Sequence, residues 1–135
     1  MRVLLSIRPE HAANILNGSK QFEFRKAAFK TQSVRTIVVY VTKPLGKIVG
    51  EFDFEDILSD IPDKIWSRTS HAAGISEEQF TRYFEGKQTA YAIKVGKVRR
   101  YRRPKDLHSI LPNGVAPQSF RYLLPPNSIE SARGA

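Results

Sequence analysis

The chain contains no cysteine. A disulfide framework, thiolate catalysis and cysteine-based zinc sites are therefore excluded together. Long apolar runs are missing too. The longest, Ile37-Val38-Val39-Tyr40-Val41, falls far short of the roughly 20 residues that cross a bilayer. The N-terminus opens on strand-like Val3-Leu4-Leu5 after Arg2, without the apolar stretch and small-residue cleavage site of a signal peptide. These absences lead us to expect a soluble, cytoplasmic protein with no membrane partner. Histidine is sparse: His11, His71 and His108 share no metal-ligand spacing, so no metal and no cofactor are expected. No glycine-rich phosphate loop precedes a helix, and there is no Gly-x-Ser-x-Gly elbow. Internal repeats are absent.

Positive charge is what the chain has in excess. It carries 22 Lys and Arg against 13 Asp and Glu, a formal net charge of +9. Its pI is about 10.0. In 135 residues, enough for one domain, such a surplus makes a polyanion the first partner to consider. The charge is also unevenly spread. Lys94, Lys97, Arg99, Arg100, Arg102, Arg103 and Lys105 follow one another with no acid between them and one aromatic, Tyr101. Glu51, Asp53, Glu55, Asp56, Asp60 and Asp63 do so with no base between them. The pattern suggests a polarised molecule, with one surface turned to backbone phosphates and another turned away. Tyr101 is placed to stack on an unpaired base. A charged edge strand that blocks sheet aggregation is the plainer alternative.

The chain reads as short strands broken by turns. Met1 to Ile7 is a first strand, Pro9 suits the first turn of a helix, and Asn17-Gly18 stops that helix. Ala27 to Arg35 reads as a basic surface loop. Thr36 to Val41 is β-branched and apolar, fit for a central strand, and a turn at Lys43-Pro44-Leu45-Gly46 leads to a strand over Lys47 to Phe54. The acids that follow read as a connection to a helix through Trp66. Ser76 and Gln79 form a capping box before a helix whose Phe80, Tyr83 and Phe84 have the spacing of a buried face. Thr89 to Val95 alternates, and Val98 to Arg103 continues it as a basic strand. Ala116 to Leu124 is expected to close a barrel. The sum is an α+β, mainly β, fold: a small β-barrel of five to seven strands with two or three short helices. Residues 1–124 form the single domain and 125–135 a tail expected to be disordered.

The stretch Gly18-Ser19-Lys20-Gln21-Phe22-Glu23-Phe24-Arg25-Lys26 carries the most chemistry. By the two-residue period Phe22 and Phe24 share one face, and Gln21, Glu23 and Arg25 the other. The aromatic face can enter a core. The polar face, flanked by Lys20 and Lys26, suits the rim of a ligand pocket. Arg25 can grip a phosphate or carboxylate with two parallel bonds, and Glu23 can orient it or move a proton. Gln118 offers a donor and an acceptor side by side, as reading a base edge requires, with Ser119 beside it.

Together with Leu4-Leu5-Ser6-Ile7-Arg8-Pro9-Glu10, Gly46-Lys47-Ile48-Val49-Gly50-Glu51-Phe52, Ala90-Tyr91-Ala92-Ile93 and Ala116-Pro117-Gln118-Ser119-Phe120, this stretch resembles the ASCH domain family of the PUA-like superfamily. The resemblance covers about residues 2 to 124 and is with the single-domain prokaryotic branch, whose members are often labelled predicted transcriptional regulators. It implies a PUA-like barrel with a cleft lined by the Gly-x-Lys strand, and RNA or modified-base binding. The expected function is a nucleic-acid-binding module, RNA ahead of DNA. Lys20, Glu23, Arg25, Lys26, Gln118 and Ser119 would hold a base or nucleotide, and the Lys94 to Lys105 run the backbone.

Some relatives are hydrolases, which supplies the alternative: an amidohydrolase acting on acetylcytidine, or a ribonuclease. In that case Lys20 would stabilise developing charge and Glu23 transfer protons. Glu23 stands where the acetylcytidine enzymes have a threonine nucleophile, so the resemblance leaves open whether this chain is an enzyme. The sequence does not fix the oligomeric state.

Overall fold

The computed structural model describes residues 1–123. Strand β1 (Arg2–Ile7) leads into helix α1 (Pro9–Leu16) and then strand β2 (Phe22–Arg25). Strands β3 (Thr36–Val41) and β4 (Lys47–Asp60) follow, then helices α2 (Pro62–Thr69) and α3 (Glu77–Tyr83). Strand β5 (Ala90–Lys105) and strand β6 (Phe120–Leu123) complete the order. The six strands form one mixed sheet, β2-β5-β4-β3-β1-β6, curled into a half-barrel. Among the described residues only β1 and β3 run parallel; the other pairs are antiparallel. The expected α+β, mainly β, architecture is therefore the one found.

Local chemistry accounts for the elements. Pro9 sits at the start of α1, where no amide donor is needed. Gly18 turns the chain beyond that helix at φ +87°, a conformation that costs glycine little. Ser76 and Gln79 make the reciprocal capping box at the head of α3. β3 is buried from Ile37 to Val41, as its β-branched run anticipates.

The curl comes from the β4–β5 ribbon. Both strands are longer than the sequence suggested, and bulges interrupt their register near Gly50 and between Phe52 and Asp56. A Cβ at Gly50 would lie 2.6 Å from the Arg99 carbonyl oxygen, and one at Gly96 2.7 Å from that of Asp53. Glycine lets the two backbones cross this closely.

Three apolar clusters fill the fold. Val3, Leu5 and Ile7 of β1 pack with Ala12 and Ile15 of α1 and with Ile37, Val39, Phe52 and Ile93. Leu4, on the opposite face of β1, packs with Val38, Ile48, Leu107 and Leu111. Phe22 and Phe24 of β2 pack with Ile65, Phe80, Phe84 and Ala92 under helices α2 and α3.

Several expectations are corrected. The acids from Glu55 to Asp60 belong to β4 and do not form a connection, because β5 lies beside them and supplies partners. Glu51 faces Arg99 across the ladder, and Asp56 faces Lys94. The acidic and basic runs are thus neighbours that offset each other, which overturns the picture of two separated surfaces. Strand β6 begins at Phe120, which leaves Gln118 and Ser119 just before it. The expected tail at 125–135 lies outside the described residues.

Candidate functional site

Among the described residues the sheet does not close: its edge strands are β2 and β6, and no ladder joins them. A side chain spans the gap instead. One Arg25 nitrogen (Nη2) donates to the Ser6 carbonyl at 2.7 Å and to Glu23 Oε2 at 2.9 Å. The other (Nη1) reaches the Ser119 carbonyl and hydroxyl, both at 3.4 Å. Beside this bridge lies a cavity of about 500 Å³, within the size range of small-molecule sites, roughly 300–1,000 Å³. Ser6, Arg8, His11, Lys20, Glu23, Arg25, Tyr83 and Gln118 are among its lining residues.

The two-residue period of β2 makes this arrangement. Phe22 and Phe24 face the helices, so Glu23 and Arg25 must face the opposite way. Glu23 lies opposite Ile93 of the main core and is 5% exposed. Such a carboxylate needs its partner, and Arg25 supplies it.

Lys20 is more deeply placed than the sequence indicated. It is 1% exposed, donates through Nζ to the Ala73 carbonyl at 2.7 Å, and stands 4.6 Å from the Phe24 ring centre. Burial pushes its pKa down to about 8; Glu23 opposes the shift and Arg25 adds to it. Gly74 makes room: a Cβ there would lie 2.5 Å from Lys20 Cβ.

Gln118 lines the cavity, as expected. Ser119 touches Arg25 and belongs to the bridge. Lys26 lies outside the lining, exposed, with Nζ 4.6 Å from the Tyr83 ring centre. The lining also includes residues that the sequence reading missed. His11 comes from α1, and its Nδ1 is buried without a hydrogen-bond partner. Tyr83, expected in the core, is 39% exposed and lines the cavity, while Phe80 and Phe84 fill the core. Among the described residues no three His, Asp or Glu side chains stand together as a metal ion would need. No described helix is long and apolar enough to cross a membrane.

The basic run lies along β5, and its members differ. Arg99 donates to Glu51 at 2.8 Å and to Asp53 at 2.7 Å, and Tyr101 donates to Glu51 at 2.8 Å. Burial pushes the Glu51 carboxyl up, but these donors outweigh it and hold the group below its ordinary range. Burial and Glu51 together push the Tyr101 phenol up to about 12. Lys94 reaches Glu55 at 3.4 Å, and Lys105 sits over the Tyr101 ring. Lys97, Arg100, Arg102 and Arg103 are exposed, with no acid partner among the described residues.

The ASCH domain model matches residues 5–104. The chain belongs to the ASCH family. An ASCH domain-containing ribonuclease of Zymomonas mobilis is 32% identical to this ASCH chain over 122 residues, 89% of the chain and 82% of the relative. The crystal structure of a variant ASCH protein from the same organism superposes with a TM-score of 0.83 at 28% identity, covering 98% of this chain and 96% of the other. The large ribosomal subunit protein uL22 of Ureaplasma parvum is 32% identical over 90% of the ASCH chain, which spans 39% of that relative's length.

Proposed function

We propose that this chain binds RNA and cleaves it, with one nucleotide held in the cavity beside Arg25. The single observation that carries the reading is Lys20: a lysine 1% exposed lines a cavity wide enough for a nucleotide. A buried cation is costly, and a cationic cavity is suited to an anion. Arg8, Lys20, Arg25 and Arg82 outnumber Glu10 and Glu23 in the lining. The Zymomonas relative named a ribonuclease supports the choice of RNA.

The roles follow from the chemistry. The Tyr83 ring offers a stacking face, and the Gln118 amide can read a base edge. Lys20, a cation at neutral pH, stabilises negative charge as it builds on the phosphate. Glu23, held by Arg25, keeps the guanidinium aimed across the seam. Exposed Lys97, Arg100, Arg102 and Arg103 contact flanking phosphates. In the strand cleavage, the ribose 2′-oxygen attacks the adjacent phosphorus as its proton is removed. The bond to the 5′-oxygen breaks, that oxygen takes up a proton, and the products end in a 2′,3′-cyclic phosphate and a 5′-hydroxyl.

The test is an end-labelled RNA incubated with the purified chain, beside the same RNA carrying one 2′-deoxy nucleotide and a DNA of equal sequence. Cleavage that stops only at the 2′-deoxy position and spares DNA is the expected result. Binding without cleavage would return the chain to a recognition module. Turnover of free acetylcytidine with RNA left intact would replace the reading with an amidohydrolase.

A further inference from the structure

We propose that His11 selects the base held in the cavity: its Nε2–H donates to a ring carbonyl, so the site takes uracil or guanine and turns away cytosine or adenine. The inference rests on the reading that one RNA nucleotide occupies the cavity, and it names which nucleotides those are.

The tautomer decides what His11 can do. Its Nδ1 is buried with no partner among the described residues. A neutral imidazole carries one ring proton, and a buried N–H without an acceptor bears the full cost of its desolvation. The proton therefore sits on Nε2, and Nδ1 keeps its lone pair. Burial, the largest influence on the ring, lowers its pKa and keeps it neutral near pH 7; Glu23 and Glu10 oppose the shift, and Lys20 and Arg8 add to it. Toward the cavity His11 is thus a donor and not an acceptor. Ala12 and Ile15, buried in the core, anchor the helix that carries it.

The lining divides the nucleotide between charged and neutral groups. Arg8, Lys20, Arg25 and Arg82 are full cations and draw the phosphate. A neutral donor is suited to the base, whose polar edge is also neutral. Gln118, in the same lining, offers a donor and an acceptor, but an amide presents them in either order by turning over. His11 has one order, and so it sets the polarity. Uracil and guanine present a carbonyl beside a ring N–H. The carbonyl accepts from His11, and the N–H donates to the Gln118 amide oxygen. Cytosine and adenine present an amino group beside a bare ring nitrogen, which sets donor against donor at His11 and leaves both unpaired. Glu10 and Glu23 are acceptors in the lining as well. Glu23 is engaged by Arg25 at 2.9 Å, and Glu10 is exposed to water, so the choice of base falls to His11.

The test measures binding of two RNA hexamers, all uridine and all cytidine, both with 2′-fluoro sugars that lack the hydroxyl needed for cleavage. Their phosphates are identical, so contacts from Lys97, Arg100, Arg102 and Arg103 cancel in the affinity ratio. Wild type is expected to bind the uridine hexamer at least about fivefold more tightly, the low end for leaving a buried donor unpaired. His11→Ala should bring the ratio near one. His11→Gln, whose amide can turn over, should do the same while holding both hexamers. His11→Glu, which only accepts, should weaken both and reverse the preference. Equal wild-type binding of the two hexamers, or a uridine preference that survives in His11→Ala, overturns the inference and leaves the RNA reading standing. A wild-type chain that binds neither these hexamers nor unmodified RNA overturns both.

Discussion

Lys20 Nζ donates to the Ala73 carbonyl at 2.7 Å, and the rest of its side chain is shut from water. The amine titrates at 10.5 when unfolded and at about 8 when folded. Between those values the unfolded chain binds the proton more tightly, so stability climbs as pH rises across the interval. Below about 8 the full cost of the buried cation is present, on the order of 3 kcal/mol. Lys20→Met gives up the Ala73 bond, worth about 1–2 kcal/mol. At pH 7 the variant should therefore gain about 1–2 kcal/mol in urea unfolding, and the gain should shrink toward pH 10. RNA binding should fall in the same variant. A net loss of stability at pH 7 would contradict the burial argument.

Gly74→Ala should damage the fold and the cavity together. The position has φ +70°, and the added Cβ would meet the Lys20 side chain. Gly86 provides the comparison, with φ +78° and nothing within 4 Å of an added Cβ. Gly86→Ala should cost about 1 kcal/mol for the backbone alone. Gly74→Ala should cost about 2–4 kcal/mol because overpacking adds to the same backbone term. Thermal unfolding of the pair checks the difference.

Arg25 and Glu23 should behave as a coupled unit. Arg25→Met leaves a buried carboxylate without its partner and should cost about 3–5 kcal/mol. Adding Glu23→Gln removes that charge and should recover at least about 1 kcal/mol, a coupling read from a double-mutant cycle in urea. Strict additivity would show that the two side chains are not coupled in solution.

How much of this was legible in the sequence depends on range. The alternation of Phe22 and Phe24 against Glu23 and Arg25 is written in four residues, and so the polar face was readable. The Ser76–Gln79 cap is equally local. His11 was not readable as a cavity residue, because its place beside Lys20 and Glu23 depends on how α1 packs across the sheet. Tyr83 has the spacing of a buried residue but sits at the end of α3, where the core gives way to the cavity. The offsetting of acids by bases required the β4–β5 register, which bulges near Gly50 and Phe54 displace from any simple count.

The β5 arginines should divide into two kinds. Changing Arg100, Arg102 and Arg103 together to Ser should weaken RNA binding and lower the salt slope by about 2, given about 0.7 per phosphate contact on a single strand. Stability should hardly move, since these side chains are exposed. Arg99→Ala should do the reverse. It frees Glu51 and Asp53, lowers stability, and changes the salt slope by less than about 0.7. Filter binding at several salt concentrations, with urea unfolding alongside, separates the two.

Among the described residues strand β2 pairs only with β5: Phe22 lies against Lys94 and Arg25 against Tyr91. A nascent chain leaving the ribosome therefore carries Lys20, Glu23 and Arg25 early, with no neighbouring strand to settle on. Those residues wait through the synthesis of two further strands and two helices before their ladder partner emerges. The cavity wall built on β2 is thus assembled only after β5 has been made, and a polypeptide halted ahead of Tyr91 would have both charged groups of β2 and no ladder to hold them in place.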